Sequence, residues 1–520
     1  MKILLFVLTL WMAWILTTNC TNNKLSNRNN IPVPELTVTL DSTVIGTQTI
    51  LANLNVPWEI TWGPDNWIWF TEQSGTVSKV NPVTGQKKLL LKIPEVYRIR
   101  SLGLLGMAIH PDKKLPYIFF DYTYKERTAI LSKLVRYTYT ADTLINPIVL
   151  LKDIPGHTGH NGSRVVIAPD GKIMMSTGYA ALTKNSQDSS SLNGKILRIN
   201  IDGTIPSDNP IPGSPIWTSG HRNPQGLVYT SKGILFSSEH GDAIEDELNI
   251  IKKGGNYGWP YVEGYCDQPD EKTYCNIHPI TEPIKAWTPV IAPAGIDYYK
   301  SSAIPEWQNS ILLVTLKTQT FRILKLNTAG NKLVDEKIYF DHKFGRLRDV
   351  CISPSGDVYM STSNRDWNPG EGYPKAGDDK IIRIYKIKTD KKLAKAPSTK
   401  KSLPEKAENK QVATTGAVIY SNYCASCHKS DGSGIPGTFP PLKGTAQVLD
   451  DKNKLLRILL KGISGTITVK GVQYNQEMPS FKFLSDQDIA QVATYIRSHF
   501  GNKAGAVTNA DVAKARSEKQ

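Results

Sequence analysis

IAPDGKIMMSTGY, residues 167–179, sets an apolar residue before a Pro-Asp-Gly turn and follows it with a run alternating apolar and small polar residues. ISPSGDVYMSTSN, residues 352–364, repeats the design with Pro-Ser-Gly at the turn. Pro and Gly at this spacing mark a tight turn, and the alternating run after it reads as a half-buried strand. The same unit recurs in WGPDNWIWFTEQSGTVSKVNP (62–82) and IHPDKKLPYIFFDYT (109–123), and in worn form in VYTSKGILFSSEHG (228–241) and WQNSILLVTLKTQT (307–320). Each copy is followed by a second strand, as in KILRINIDG, FRILKLN and IIRIYKIK. Six copies at intervals of roughly 45–65 residues predict a mainly β fold, a six-bladed propeller over residues 35–388. Loops at the mouth of such a ring bring together polar residues from distant parts of the chain.

Composition agrees. The 520 residues are 40% hydrophobic and 21% charged, and 39 Gly and 32 Pro are spread along the chain, which favours short strands and turns over long helices. The length exceeds one compact core. Net charge is +15, and part of the excess is local: nine Lys stand against Asp390, Glu405 and Glu408 between Lys386 and Lys410. No nucleic-acid module flanks this Lys-, Pro- and Ser-rich stretch, so it is read as a solvated linker, residues 389–411, and no nucleic-acid partner is expected. A coil of that length spans ~25–30 Å, enough for a small domain to dock and undock.

The pattern turns helical from Val412, and residues 412–501 are expected to form a small all-α domain with a polar, structureless tail at 502–520. Ser485 caps a helix whose Ile489, Val492, Ala493 and Ile496 share one face. The stretch SNYCASCHKSDGSG (421–434) contains C-x-x-C-H. The Cys424 and Cys427 thiols add to the vinyl groups of haem c, and His428 then reaches the iron. A zinc site would need a second ligand pair, and a thioredoxin-type site a βαβ setting; neither is present. Met478, beside Pro479 and ahead of the final helix, is the sixth-ligand candidate, a thioether that raises haem potential. Gly416 to Phe500 resembles a class I cytochrome c, and GIPGTFPPLKG (434–444) matches the loop that wraps the haem in that family.

At the other end, MKILLFVLTLWMAWILTTNC (1–20) reads as an export signal: Lys2, an apolar Ile3–Leu16 too short to span a membrane comfortably, then Cys20. Cys20 resembles the lipid-modified first residue of a bacterial lipoprotein, though Asn19 is larger than the usual small residue. An exported, periplasmic protein is expected, with a membrane contact only through that anchor. Cys266 and Cys275, bracketing CDQPDEKTYC, then suit a disulfide, and Cys351 a buried free thiol.

Five propeller segments carry the chemistry: GHNGSRVVIAPDG (159–171), SGHRNPQGLVY (219–229), EHGDAIEDELNIIKKGGNYGWP (239–260), LLVTLKTQTFRILKL (312–326) and GRLRDVCISPSG (345–356). Together they resemble the soluble quinoprotein glucose/sorbosone dehydrogenases, six-bladed propellers that use pyrroloquinoline quinone (PQQ) and calcium, from about Leu51 to Ile387. The resemblance implies that Lys317, Arg346 and Arg348 hold the cofactor's carboxylates, that Trp287 and Thr288 pack against it, and that Arg222 with Asn223 polarises the quinone oxygen. It assigns calcium to the carbonyls of Gly241 and Asp242, and a second calcium position to Glu247 and the Tyr257 carbonyl; the run Glu245-Asp246-Glu247 suits a hard cation. His160, at the family's spacing before Arg164, is the expected base, while His157 is a loop residue. Two positions depart from the family: Tyr179 where a carboxylate often orients the base, and Ser101 where Gln or Glu often meets the cofactor. The expected function is a periplasmic quinohaemoprotein that oxidises an aldose or related polyol and sends its electrons through haem c to a respiratory acceptor. The competing expectation is a cofactor-free propeller that binds a partner or glycan, with the haem as sole redox centre.

Overall fold

A computed structural model describes residues 33–387 and 416–517; the export signal, Cys20 and the linker at 389–411 lie outside the described residues. The quoted repeat is a β-hairpin. In one copy Ala168 N–H donates to the Lys172 carbonyl at 2.8 Å and Gly171 N–H to the Ala168 carbonyl at 2.9 Å; in another, Ser353 donates to Asp357 and Gly356 to Ser353, both at 2.9 Å. The turn glycines stand at φ +79° and +89°, a left-handed conformation open to Gly at little cost. At the worn copy Gly233 takes the same place, and at the first copy Asn66 does, with φ +62°.

Five successive antiparallel sheets of four strands occupy residues 57–92, 104–155, 162–218, 224–287 and 293–339. The sixth takes Leu347–Ile352, Val358–Thr362 and Ile381–Lys386 from the end of the propeller and Val44–Leu51 and Thr37–Thr39 from its beginning. Pairing of Val44–Leu51 with Ile381–Lys386 closes the ring, and each innermost strand touches the next around the circle. Second strands such as Ile173–Thr177, Leu235–Glu239 and Val358–Thr362 are buried at every residue because blades pack on both faces. Trp69, Val77, Met107, Phe120 and Tyr122 fill the wedge between the first two blades. Each such side chain, fully buried, contributes about 1.5–3 kcal/mol.

The C-terminal domain packs Gly416–Tyr423 against Asp486–Ser498. A methyl group on Gly416 would lie 2.2 Å from the Gln491 carbonyl, so the glycine permits the crossing. Ser485 caps the second helix by accepting from Asp488 N–H at 3.1 Å, and Ile489, Val492, Ala493 and Ile496 are buried as expected. Two features depart from expectation. A short hairpin pairs Ile467–Val469 with Val472–Tyr474 in a domain expected to be all-α. The tail expected to lack structure forms a helix, Asn509–Ser517, whose Val512 and Ala515 enter the domain's apolar core. Its sequence, NADVAKARS, scatters three alanines and one valine among polar residues and so shows no sustained apolar stripe. The Cys266–Cys275 disulfide is formed, and Cys351 is a buried free thiol. Among the described residues, no helix is long and apolar enough to cross a membrane.

The helical domain sits over one mouth of the ring. Lys317 Nζ donates to the Asn422 carbonyl at 2.7 Å, Asn368 Nδ2 to the Ser426 carbonyl at 3.1 Å, and Arg100 to the Gly437 carbonyl at 2.8 Å. Trp367 meets Phe439 ring to ring, and the propeller's Ala243 joins the helical domain's apolar cluster.

Candidate functional site

Between mouth and helical domain lies a cavity of about 1350 Å³. His160, Arg222, Gly241, Asp242, Trp287, Thr288, Lys317, Arg346 and Arg348 line it from the propeller, and Cys424, Cys427, His428 and Met478 line it from the other side. The third to sixth blades, with the loops leading into them, and a second domain thus bring the expected site residues into one space, except Asn223, Glu247 and Tyr257. Asn223 stands behind the wall, where its Oδ1 accepts from Gly162 N–H at 3.1 Å and braces the loop carrying His160.

His160 stands at φ +60°, a strained conformation for a residue with a side chain. Ala180 N–H donates to its carbonyl at 3.1 Å, and a methyl group on Gly178 would lie 2.0 Å from that carbonyl oxygen. The glycine of the STG-Y strand is therefore what lets the His160 backbone approach. Tyr179 follows, and its ring stacks on His160 at 5.2 Å between centroids. Burial, aided by the charge of Arg222, draws the His160 pKa well below 6.5 and leaves a neutral imidazole able to accept a proton. Ser101, the other departure, ties two cavity loops together through its bond to the Thr158 carbonyl at 2.7 Å.

Arg222 is aimed by Glu239 and Trp259, which sequence reasoning passed over, and by the side chain of Asp242. Glu239 accepts from the backbone N–H groups of Arg222 and Asn223 and pairs with His221 at 2.8 Å. Asp242 binds the Arg222 guanidinium at 2.6 Å, and Trp259 lies 5.1 Å from it. Burial opposes the Arg222 charge, but Asp242, Tyr179, Glu263 and Glu477 together outweigh it, so the group stays cationic. Strand parity could have found Glu239, which ends the fully buried strand Leu235–Glu239.

Arg346 and Arg348 both reach Asp366 Oδ2, at 3.3 and 3.0 Å. Asp366 was missed because it lies in a loop 18 residues or more beyond its partners. Burial, then the neighbouring Arg346 and Arg164, pulls the Arg348 pKa down to about 10, and burial lowers that of Lys317 as well. Among the described residues, Nε of Arg222, Arg346 and Arg348 is buried without a hydrogen-bond partner. Surplus positive charge and idle donors around an open space fit an anion with several carboxylates. Trp287 offers its ring to the wall while Nε1 donates to Glu336 at 3.1 Å, and Thr288 Oγ1 accepts from Glu245 N–H at 3.2 Å.

A second cavity, about 10 Å³, opens among Glu239, Gly241, Glu247, Tyr257 and Glu263. Glu247 pairs directly with Glu239 across the sheet. Burial and then the Glu239 charge raise the Glu247 pKa well above 4.5, and burial with nearby Asp242 pushes Glu263 up to about 8. Buried carboxylates so placed call for protons or a cation, and the space suits one ion. No group of three or more His, Cys, Asp or Glu stands in metal-holding geometry among the described residues, so a calcium ion here would need backbone carbonyls in its shell. Of the acidic run, Asp246 instead binds the N–H groups of Gly241, Ile291 and Ala292, and Glu245 that of Tyr265.

In the helical domain His428 Nδ1 lies 2.8 Å from the Pro440 carbonyl. A carbonyl only accepts, so Nδ1 carries the proton and Nε2 is left for a metal. Cys424 and Cys427 are free thiols beside it, and Met478, held by a reciprocal backbone pair with Ile463 at 2.9 Å, faces the same space. This donor set fits a covalently held haem.

Residues 54–368 match the family described as Glucose / Sorbosone dehydrogenase, and residues 413–500 match Cytochrome c. The chain is 34% identical over 401 residues to quinoprotein glucose dehydrogenase B of Acinetobacter calcoaceticus, covering 60% of this chain and 84% of that one. It is 45% identical over 91 residues to cytochrome c-552 of Thermus thermophilus, covering 17% and 69%. The PQQ-bound form of aldose sugar dehydrogenase from Streptomyces coelicolor superposes with a TM-score of 0.57 at 31% identity, over 66% of this chain and 98% of that one.

Proposed function

Because the chain belongs to the glucose/sorbosone dehydrogenase family and joins that propeller to a cytochrome c domain, we propose that it oxidises an aldose or related polyol with PQQ and calcium. Its electrons leave through haem c to a respiratory acceptor, in the periplasm, with Cys20 as a lipid attachment point. The propeller takes residues 35–388, the linker 389–411, and the haem domain runs from 412 through the helix that ends at Ser517.

One observation carries this reading: base, cation set and haem-binding side chains open into one cavity. When bound, PQQ would supply a hydride acceptor for a CH–OH carbon, and haem c a one-electron carrier. His160, neutral, takes the hydroxyl proton as the carbonyl forms. Lys317, Arg346 and Arg348 hold carboxylates, and Arg222, charged and fixed by Asp242, stabilises negative charge developing on an oxygen beside it. Gly241 and Asp242 would offer backbone carbonyls to calcium, and the Glu247 carboxylate and the Tyr257 carbonyl would do so at the smaller cavity. Cys424 and Cys427 would tether the haem, and His428 and Met478 would be the ligands of its iron. A cofactor-free binding module would leave the buried guanidinium donors without an occupant.

Titrating the protein with PQQ and calcium, then adding aldoses while recording the haem spectrum, tests the reading. Reduction of the haem by a sugar, dependent on PQQ, supports it. Failure of every aldose and polyol to reduce the haem in the loaded protein returns the propeller to a binding role.

A further inference from the structure

The cavity wall opposite the propeller includes Gln476, Glu477 and Met478, which follow the hairpin strand Val472–Tyr474. The Tyr179 hydroxyl donates to Glu477 Oε2 at 3.1 Å, a bond between domains 298 residues apart in the chain. Tyr179 is the centre of the catalytic cluster. It is fully buried, and its ring stacks on His160, meets Trp259 edge-on at 5.4 Å and lies 5.6 Å from the Arg222 guanidinium carbon. The ring holds both groups that the proposed chemistry requires. Its orientation depends on where its hydroxyl is anchored, because a buried donor without an acceptor is unfavourable. That acceptor comes from the haem domain. Docking is held independently by the Lys317–Asn422, Asn368–Ser426 and Arg100–Gly437 bonds, so Glu477 is presented at a defined place.

We propose that Glu477 is a positioning residue for sugar oxidation, supplied by the haem domain, which by anchoring Tyr179 sets His160 and Arg222 in their working geometry. The dehydrogenase site is then complete only with the haem domain seated on it, and the carboxylate that orients the base reaches it through a phenol. The proposal rests on the sugar dehydrogenase reading.

The test uses the full haem-containing chain. With PQQ, calcium and an artificial acceptor, Glu477→Ala should lower kcat for the sugar about 10- to 100-fold, the scale of a small misplacement of catalytic groups. Glu477→Gln, which keeps an acceptor oxygen, should restore kcat to near the native value. Tyr179→Phe should match Glu477→Ala, and the double variant should be no worse than either single one. Independently of activity, hydrogen–deuterium exchange of residues 157–162 and 179–182 in the PQQ-free chain should speed up in Glu477→Ala and stay native in Glu477→Gln. Native kcat and exchange in Glu477→Ala overturn the proposal. So do equal losses in the Ala and Gln variants, or losses that multiply in the double variant. If the native chain oxidises no sugar, the dehydrogenase reading fails by itself, and the exchange experiment alone decides whether Glu477 anchors Tyr179.

Discussion

In the proposed reaction, His160 is the side chain that takes the proton. Gly178 admits its backbone, Tyr179 fixes its ring, and burial with the Arg222 charge keeps it neutral. A histidine with a lowered pKa works as a base above that value and fails only as pH falls through it. The acid limb of kcat/KM for sugar is therefore expected below 6.5, and a limb at or above 6.5 would show that His160 is not the group titrating. His160→Ala should slow sugar-dependent haem reduction by about 10²–10⁴-fold while PQQ still binds, which stopped-flow spectra and a PQQ titration would measure. Met478→Ala should lower the haem potential and remove the sulfur-to-iron charge-transfer band; a native protein that lacks this band has another sixth ligand.

The segment from Glu239 to Glu263, which includes the strand Asp246–Ile250, builds an acidic pocket. Glu247 and Glu263 bind protons more tightly in the folded, calcium-free protein than in the unfolded chain. Their contribution to stability is therefore lost as pH rises from the ordinary value of 4.5 towards about 8. A cation that replaces the protons removes this loss. The rise in Tm on adding calcium should thus be larger near pH 8 than near pH 5 and should shrink in Glu247→Gln; an equal rise at both pH values places calcium elsewhere. The last helix gives a second test at this scale. A chain ending at Gly501 strips Val512 and Ala515 from the core of the haem domain, and the loss of one buried valine alone is worth about 1.5–3 kcal/mol. Calorimetry should find the haem domain melting earlier and the propeller unchanged.

Across the whole molecule, the propeller and the haem domain meet mostly through polar contacts, among them bonds from Lys429 to Asn368 and Pro369, with the Trp367–Phe439 ring pair beside them. In the proposed domain arrangement, the segment 389–411 would keep the partners at high local concentration. A protease site near Lys400, once cut, should make sugar-dependent haem reduction depend on protein concentration. Upon dilution, oxidation of sugar with an artificial dye should fall only by the factor seen in Glu477→Ala. Haem reduction that stays independent of dilution after cutting would mean that the interface holds without the linker.

The hairpin repeat was legible because turn chemistry and strand alternation are local: Pro-Asp-Gly and a period of two specify backbone angles within a dozen residues. C-x-x-C-H was legible for the same reason, since the short helix Ala425–His428 and its N-cap residue Cys424 carry both thiols and the imidazole. His160, Arg222 and the cation set were found through motif resemblance, and the tertiary structure brought them to a common space. Tertiary structure alone decided that Val44–Leu51 completes the last blade, that Asp366 binds both Arg346 and Arg348, that the polar tail becomes a core helix, and that Glu477 meets Tyr179. Each of these joins segments far apart in the chain or rests on one or two side chains. Such contacts depend on register and docking and leave no periodic trace in the sequence.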